Sequence, residues 1–234
     1  MMSRRIDGGV HNRGMATQPV EQLLARVIAS FNAGRREEAD ALCAQALRDH
    51  PEHPGLNHLG AVLSLERGEA RLALQFAERA AALAPESAEL RRHHAAAWYE
   101  LGRVHRAAGE MQAALVAFES ATRIDAGLVP GWFALSLVLQ DLHQIDPAAQ
   151  ALERLLAIEA GHIEAAVNLG LLRQEQGDLD AAMAHYGMAY RQQPDTLGRI
   201  AHALCSLPYG ALWTDQQALE DALREAAVSR PRRA

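Results

Sequence analysis

Eleven histidines and two cysteines are the side chains with the most to offer a metal ion or an electrophilic substrate. Their spacing argues against both uses. His50 and His53 bracket a proline, and His93 and His94 are adjacent, so the latter two cannot share one face of a helix. Cys43 and Cys205 lie far apart in apolar helical stretches, without the C-x-x-C spacing of a metal or redox pair. They read as two small buried hydrophobes. The chain carries no G-x-S-x-G elbow, Walker loop or H-E-x-x-H. These residues predict no catalytic group, no metal site, no cofactor and no enzyme. Recognition by exposed side chains is the chemistry that remains.

Such side chains need helices to position them. Hydrophobic residues make up 49% of the 234, aromatics only 5%, and alanine dominates the apolar set, a balance that favours an all-α protein over a sheet. The net charge is −6 and every basic residue is an arginine, which gives no general attraction for nucleic acid. The all-arginine, alanine-rich usage reads as a bacterial, GC-rich coding bias. Residues 1–16 hold Arg4 and Arg5 but no apolar run of the kind a signal peptide requires, and are expected to be disordered. No stretch approaches the ~18 apolar residues of a membrane span. A cytoplasmic protein without membrane contact is therefore expected.

A repeat organises the alanines. Ala39, Ala73, Ala114, Ala148 and Ala182 are separated by 34, 41, 34 and 34 residues. Three more columns keep those intervals: Ala46, Ala80, Ala121, Leu155 and Ala189; Gly34, Gly68, Gly109, His143 and Gly177; Pro51, Pro85, Ala126, Ala160 and Pro194. The odd interval exceeds the others by seven residues, close to two α-helical turns, so it lengthens a helix without rotating its buried face. The extra residues fall in AELRRHH, residues 88–94. They predict a helix from about Ser87, its N-cap, to Ala107, with Leu90, His94, Ala97 and Leu101 on one stripe.

This period and its fixed positions resemble the tetratricopeptide repeat, whose pattern runs W-x2-L-G-x2-Y, G, A-x3-F, A, P. Residues 95–128 carry Trp98, Leu101, Gly102, Gly109, Ala114, Phe118 and Ala121; residues 163–196 carry Leu169, Gly170, Gly177, Ala182, Tyr186, Ala189 and Pro194; residues 129–162 carry Trp132, Leu135, Ser136, Ala148 and Leu152. The resemblance implies a right-handed superhelix of about five helix-turn-helix repeats, at about 20–52, 53–87, 88–128, 129–162 and 163–196, with a capping helix completing a solenoid over 17–206. Two repeats depart from the pattern. Leu59 and Gly60 come one residue early relative to Gly68, which predicts a loop or register irregularity, and Arg26 and Val27 stand where Leu and Gly are expected.

Beyond the repeats, Pro208, Tyr209 and Gly210 end the capping helix, and Thr214 with Gln217 forms a capping-box pattern. That pattern opens a helix from about Asp215 to Ala227, with Leu219, Ala222, Leu223 and Ala226 on one face. The segment 207–228 is thus a linker and amphipathic helix that either caps the last repeat or docks, with Trp213, into a groove; residues 229–234 are expected to be disordered.

By resemblance, the first helix of each repeat lines a concave groove. This selects Tyr99, Arg103 and Arg106, then Phe133, Leu137 and Gln140, then Val167, Leu171 and Gln174. Phe133, Leu137, Val167 and Leu171 would form an apolar strip beside the two arginines. The complete lack of lysine argues against the lysine-based carboxylate clamp of chaperone-binding members, and Asn57 and Asn168 alone make a poor asparagine ladder. The expected function is a non-catalytic scaffold that holds a peptide or partner protein in the groove. Two alternatives stand beside it: recruitment of substrate for a bacterial glycosyl-, sulfo- or methyltransferase, with PYGALW as the junction, and self-assembly into a homo-oligomer through an end repeat or the tail helix.

Overall fold

In the computed structural model, residues 19–206 and 216–226 are described. Five antiparallel helix pairs follow one another: α1 (Val20–Asn32) with α2 (Arg36–Asp49), α3 (Pro54–Glu66) with α4 (Ala70–Leu83), α5 (Ala88–Ala107) with α6 (Met111–Ile124), α7 (Val129–Asp141) with α8 (Ile145–Ile158), and α9 (Ile163–Glu175) with α10 (Leu179–Gln192). A 3-10 turn (Pro194–Thr196) leads into α11 (Leu197–Ser206), and α12 (Gln216–Ala226) comes last. The described residues contain helices and no strand. The expected disordered ends, the Pro208–Gly210 break and the Thr214 cap lie outside the described residues.

Helix lengths confirm where the insertion sits. The first helices α1, α3, α7 and α9 have 13 residues, whereas α5 has 20. The seven extra residues have been absorbed as two turns at the start of α5, and the Ser87 side chain accepts a hydrogen bond from the Leu90 amide at 3.3 Å as its N-cap. Ala97 and Leu101 are buried along its stripe, and Leu90 and His94 are half-buried.

Each pair is closed by the same turn. Gly34, Gly68, Gly109 and Gly177 have φ between 75° and 81°, in the left-handed region that glycine enters without a Cβ clash. His143 fills the fourth turn, between α7 and α8, at φ 57°, and the Gln144 amide still bonds back to the Leu139 carbonyl at 2.8 Å. A side chain is strained there. His143→Gly is therefore expected to raise stability by about 0.5–1 kcal/mol, read as a higher urea midpoint; a lower midpoint would show that the imidazole contributes more than its backbone strain removes.

Within each pair one position on the first helix meets one on the second in a recurring contact. Gly102 faces Phe118, and Gly170 faces Tyr186, so closely that a Cβ on either glycine would lie 2.7 Å or 2.5 Å from the ring. The same two places hold Ser136 with Leu152, Ala61 with Ala77, and Val27 with Cys43, all of them buried. The second repeat therefore has no register irregularity: α3 and α4 have the standard 13 and 14 residues, and Ala61 occupies the contact position. Gly60, one residue before it, meets the Phe76 ring instead. In the first repeat a medium side chain in each helix replaces the glycine and aromatic of the third.

The stack ends in a cap. Ile200, Ala203 and Leu204 of α11 and Leu219 and Leu223 of α12 join Tyr186, Ala189 and Tyr190 in one apolar cluster. Gln174 ties three helices together: its amide donates to the Ala203 carbonyl at 3.1 Å, and its oxygen accepts from the Tyr186 hydroxyl at 3.0 Å. Arg224 of α12 reaches the Tyr190 hydroxyl at 3.3 Å. Helix α12 thus lies on α10 at the end of the solenoid.

Candidate functional site

A cleft of about 750 Å³ opens where α5 and α7 diverge. Tyr99, Arg103 and Arg106 line one wall and Phe133, Leu137 and Asp141 the other, with Phe118 and Met111 of α6 at the floor. The lining joins apolar side chains to charged ones. The rings are already arrayed in contact, with Tyr99 5.7 Å from Phe118 and Phe133 5.2 Å from His162, centroid to centroid. His162 holds its place as N-cap of α9, where Nδ1 accepts from the Ala165 amide at 3.2 Å.

The two arginines are paired but not committed. Arg103 meets Glu100 at 3.1 Å and Arg106 meets Asp141 at 3.7 Å, and each of these side chains is at least one-third exposed. Exposed pairs of this kind contribute only about 0.2–1 kcal/mol. An incoming carboxylate can exchange for either acid at small cost.

Five of the nine groove positions selected from sequence, Tyr99, Arg103, Arg106, Phe133 and Leu137, come together in this cleft. Gln140 is turned to its own helix, its amide donating to the Ser136 carbonyl at 3.2 Å. Leu171 packs against the C-terminal apolar cluster. Val167 and Gln174 are 4% and 1% exposed, Val167 within the C-terminal apolar cluster and Gln174 bonded to α11, so they do not join this cleft. Val129, Pro130, Met111 and His162 line the cleft without having been expected. Proline and valine in the first turn of α7 were legible as a helix start, but their proximity to α5 depends on how the pairs splay.

Other chemistry is sparse. Burial pushes the Cys43 thiol up to about 11, helped by the charge of Asp40, and its Sγ rests against the Leu56 carbonyl at 3.7 Å. His94 is held below the usual imidazole range by burial and accepts from the Trp98 indole at 3.1 Å. Its neighbour His93 points elsewhere, to His58 of α3 and Glu89 of its own helix. Among the described residues, no helix is long and apolar enough to cross a membrane.

Paired helices stacked in series, each pair pinned by a left-handed turn and a small-against-large contact, define an α-solenoid of helical hairpins. Tetratricopeptide-repeat models match residues 95–127 and 164–196. Among solved structures the chain is similar to MamA, with TM-score 0.57 and 20% identity over 76% of this chain and 94% of that one. It is similar to YrrB, described as a TPR protein with an unusual peptide-binding site, with TM-score 0.56 and 17% identity over 81% and 93% of the two chains. A third likeness is MamA 41-end from Desulfovibrio magneticus RS-1, with TM-score 0.54 and 16% identity over 75% and 96%. No curated protein sequence matches the chain. The chain therefore carries tetratricopeptide repeats at residues 95–127 and 164–196, within a solenoid that shares the fold of these proteins.

Proposed function

We propose that the α5–α7 cleft binds a peptide segment of another protein and that the role is non-catalytic. The observation that carries this reading is the convergence of Tyr99, Phe133 and Leu137 with Arg103 and Arg106 in one cleft of about 750 Å³. A cleft of that size accepts an aromatic or branched aliphatic anchor, and the arginines suit a carboxylate beside it. Two further features support it. The first helices α1 and α3, and α3 and α5, touch one another directly, while among the described residues no two second helices pack to that degree, as expected where first helices take the inner side of a curve. The tail helix α12 lies on α10, and no residue of it lines the cleft. The similar protein YrrB is likewise described as having a peptide-binding site.

The test is affinity, not capture. Peptides selected from a displayed random library on the wild-type chain are titrated by fluorescence anisotropy against wild type and Phe133→Ala/Arg103→Ala. The expected outcome is a shared motif of one large apolar residue near an acid, and a loss of roughly 30-fold or more in the variant, in line with truncating a central anchor. Equal affinity for both proteins would place the site elsewhere.

A further inference from the structure

The two turns added to α5 bring two donor side chains with them. Glu89 and His93 both belong to the inserted stretch 88–94 and stand four residues apart, on one face of the helix. Opposite that face is His58 of α3, whose ring centroid lies 4.2 Å from that of His93 at an interplanar angle of 51°. One ligand atom from each of His58, Glu89 and His93 lies within 4.8 Å of the other two. Nδ1 of His58 is shut off from solvent and has no hydrogen-bond partner. Glu89 and His93 are 3.9 Å apart, too long for a hydrogen bond that would account for the arrangement.

We propose that His58, Glu89 and His93 form a three-ligand site for a divalent first-row transition ion of the zinc type, which clips the extended start of α5 to α3.

Two imidazoles and one carboxylate suit zinc, cobalt, nickel or copper, whereas calcium and magnesium take oxygen alone. Ligand atoms about a tetrahedral zinc sit roughly 3.3 Å apart, given bonds of about 2.0–2.1 Å. The trio closes to that spacing by rotating Glu89, which is exposed, and His93, which is partly so. Three protein ligands leave the fourth position to water. His94, bonded to Trp98 on another face, takes no part.

The test uses the untagged chain, freed of metal by chelator and dialysed into a non-coordinating buffer at neutral pH. Zinc chloride titrated into it by calorimetry is expected to bind at one equivalent with a micromolar Kd and to raise the melting temperature. Cobalt chloride is expected to give visible d–d absorption with imidazole character. His93→Ala and Glu89→Gln, both changes at the solvent-facing side of the site, should each weaken zinc by more than the ~10–100-fold seen for outer-shell changes. His58→Ala should abolish the cobalt spectrum. His202→Ala, an exposed histidine on α11, should bind zinc as wild type does. Zinc affinity that is unmeasurable in the wild type, or unchanged in His93→Ala and Glu89→Gln, would overturn the proposal. Because neither readout involves a peptide, its failure leaves the groove reading untouched.

Discussion

Replacing Ala114 with arginine is expected to unfold the central repeats, with a loss above about 4 kcal/mol, well beyond the usual range for one substitution. Ala114 is 0% exposed and packs with Leu115, Phe118, Ala134, Leu135 and Leu152 in the largest apolar cluster. An arginine there has no room for its stem, so neighbours must leave their rotamers, and its guanidinium is carried away from water. Helix pairs in a solenoid depend on their neighbours, so the damage should spread to the flanking repeats instead of staying in α6. Urea titration followed by far-UV circular dichroism reads the effect. A variant that melts like the wild type would mean that the hairpin register derived from the alanine columns is mistaken.

Gly102→Ser should cost about 1–3 kcal/mol on its own, since a Cβ at position 102 meets Phe118 Cε1 at 2.7 Å. Phe118→Leu alone should cost about 1–2 kcal/mol through the space it leaves under a fully buried ring. Together they recreate the Ser136 and Leu152 combination of the fourth repeat, so the double variant should be more stable than the sum of the two losses by at least ~1 kcal/mol. The sign of the coupling is the decisive reading. Strict additivity in a double-mutant cycle would mean that the glycine and the aromatic do not share one contact.

The fold was legible because the constraints that build it are local and repeated. A left-handed turn demands glycine, two close helices demand a small residue, and both recur at a fixed interval, as Gly109 with Gly102 and Gly177 with Gly170 do. The seven-residue insertion was legible for the same reason, since it displaced every column together. Gly60 breaks the pattern because glycine there sits beside the contact position, which alanine fills at 61 and 77, while Phe76 uses the room at 60.

The lining of the candidate cleft was only half legible. Tyr99, Arg103, Arg106, Phe133 and Leu137 follow from the face that first helices present. Val167 and Gln174 share that face in α9, but α11 covers its end, and no period in the sequence announces where a non-repeating helix will lie. The cluster of His58, Glu89 and His93 is not legible from spacing within one helix, because His93 faces away from His94 and toward His58, one helix pair earlier. Position in the stack, not spacing along the helix, brought them together.

Cys43 stands where Phe118 and Tyr186 stand in later repeats, sealed against Val27 and Leu63 in the smallest of the apolar clusters, while Cys205 is exposed near the other end. With its thiol pushed up to about 11 and no path from solvent, Cys43 is inert toward alkylating and oxidising reagents for as long as the first hairpin stays shut. The two sulfurs thus divide the molecule's reactivity in time: one answers a reagent at once, and the other only as often as the amino-terminal end of the stack breathes. The chain carries its own chronometer for fraying, built from the residue that spared its first repeat an aromatic.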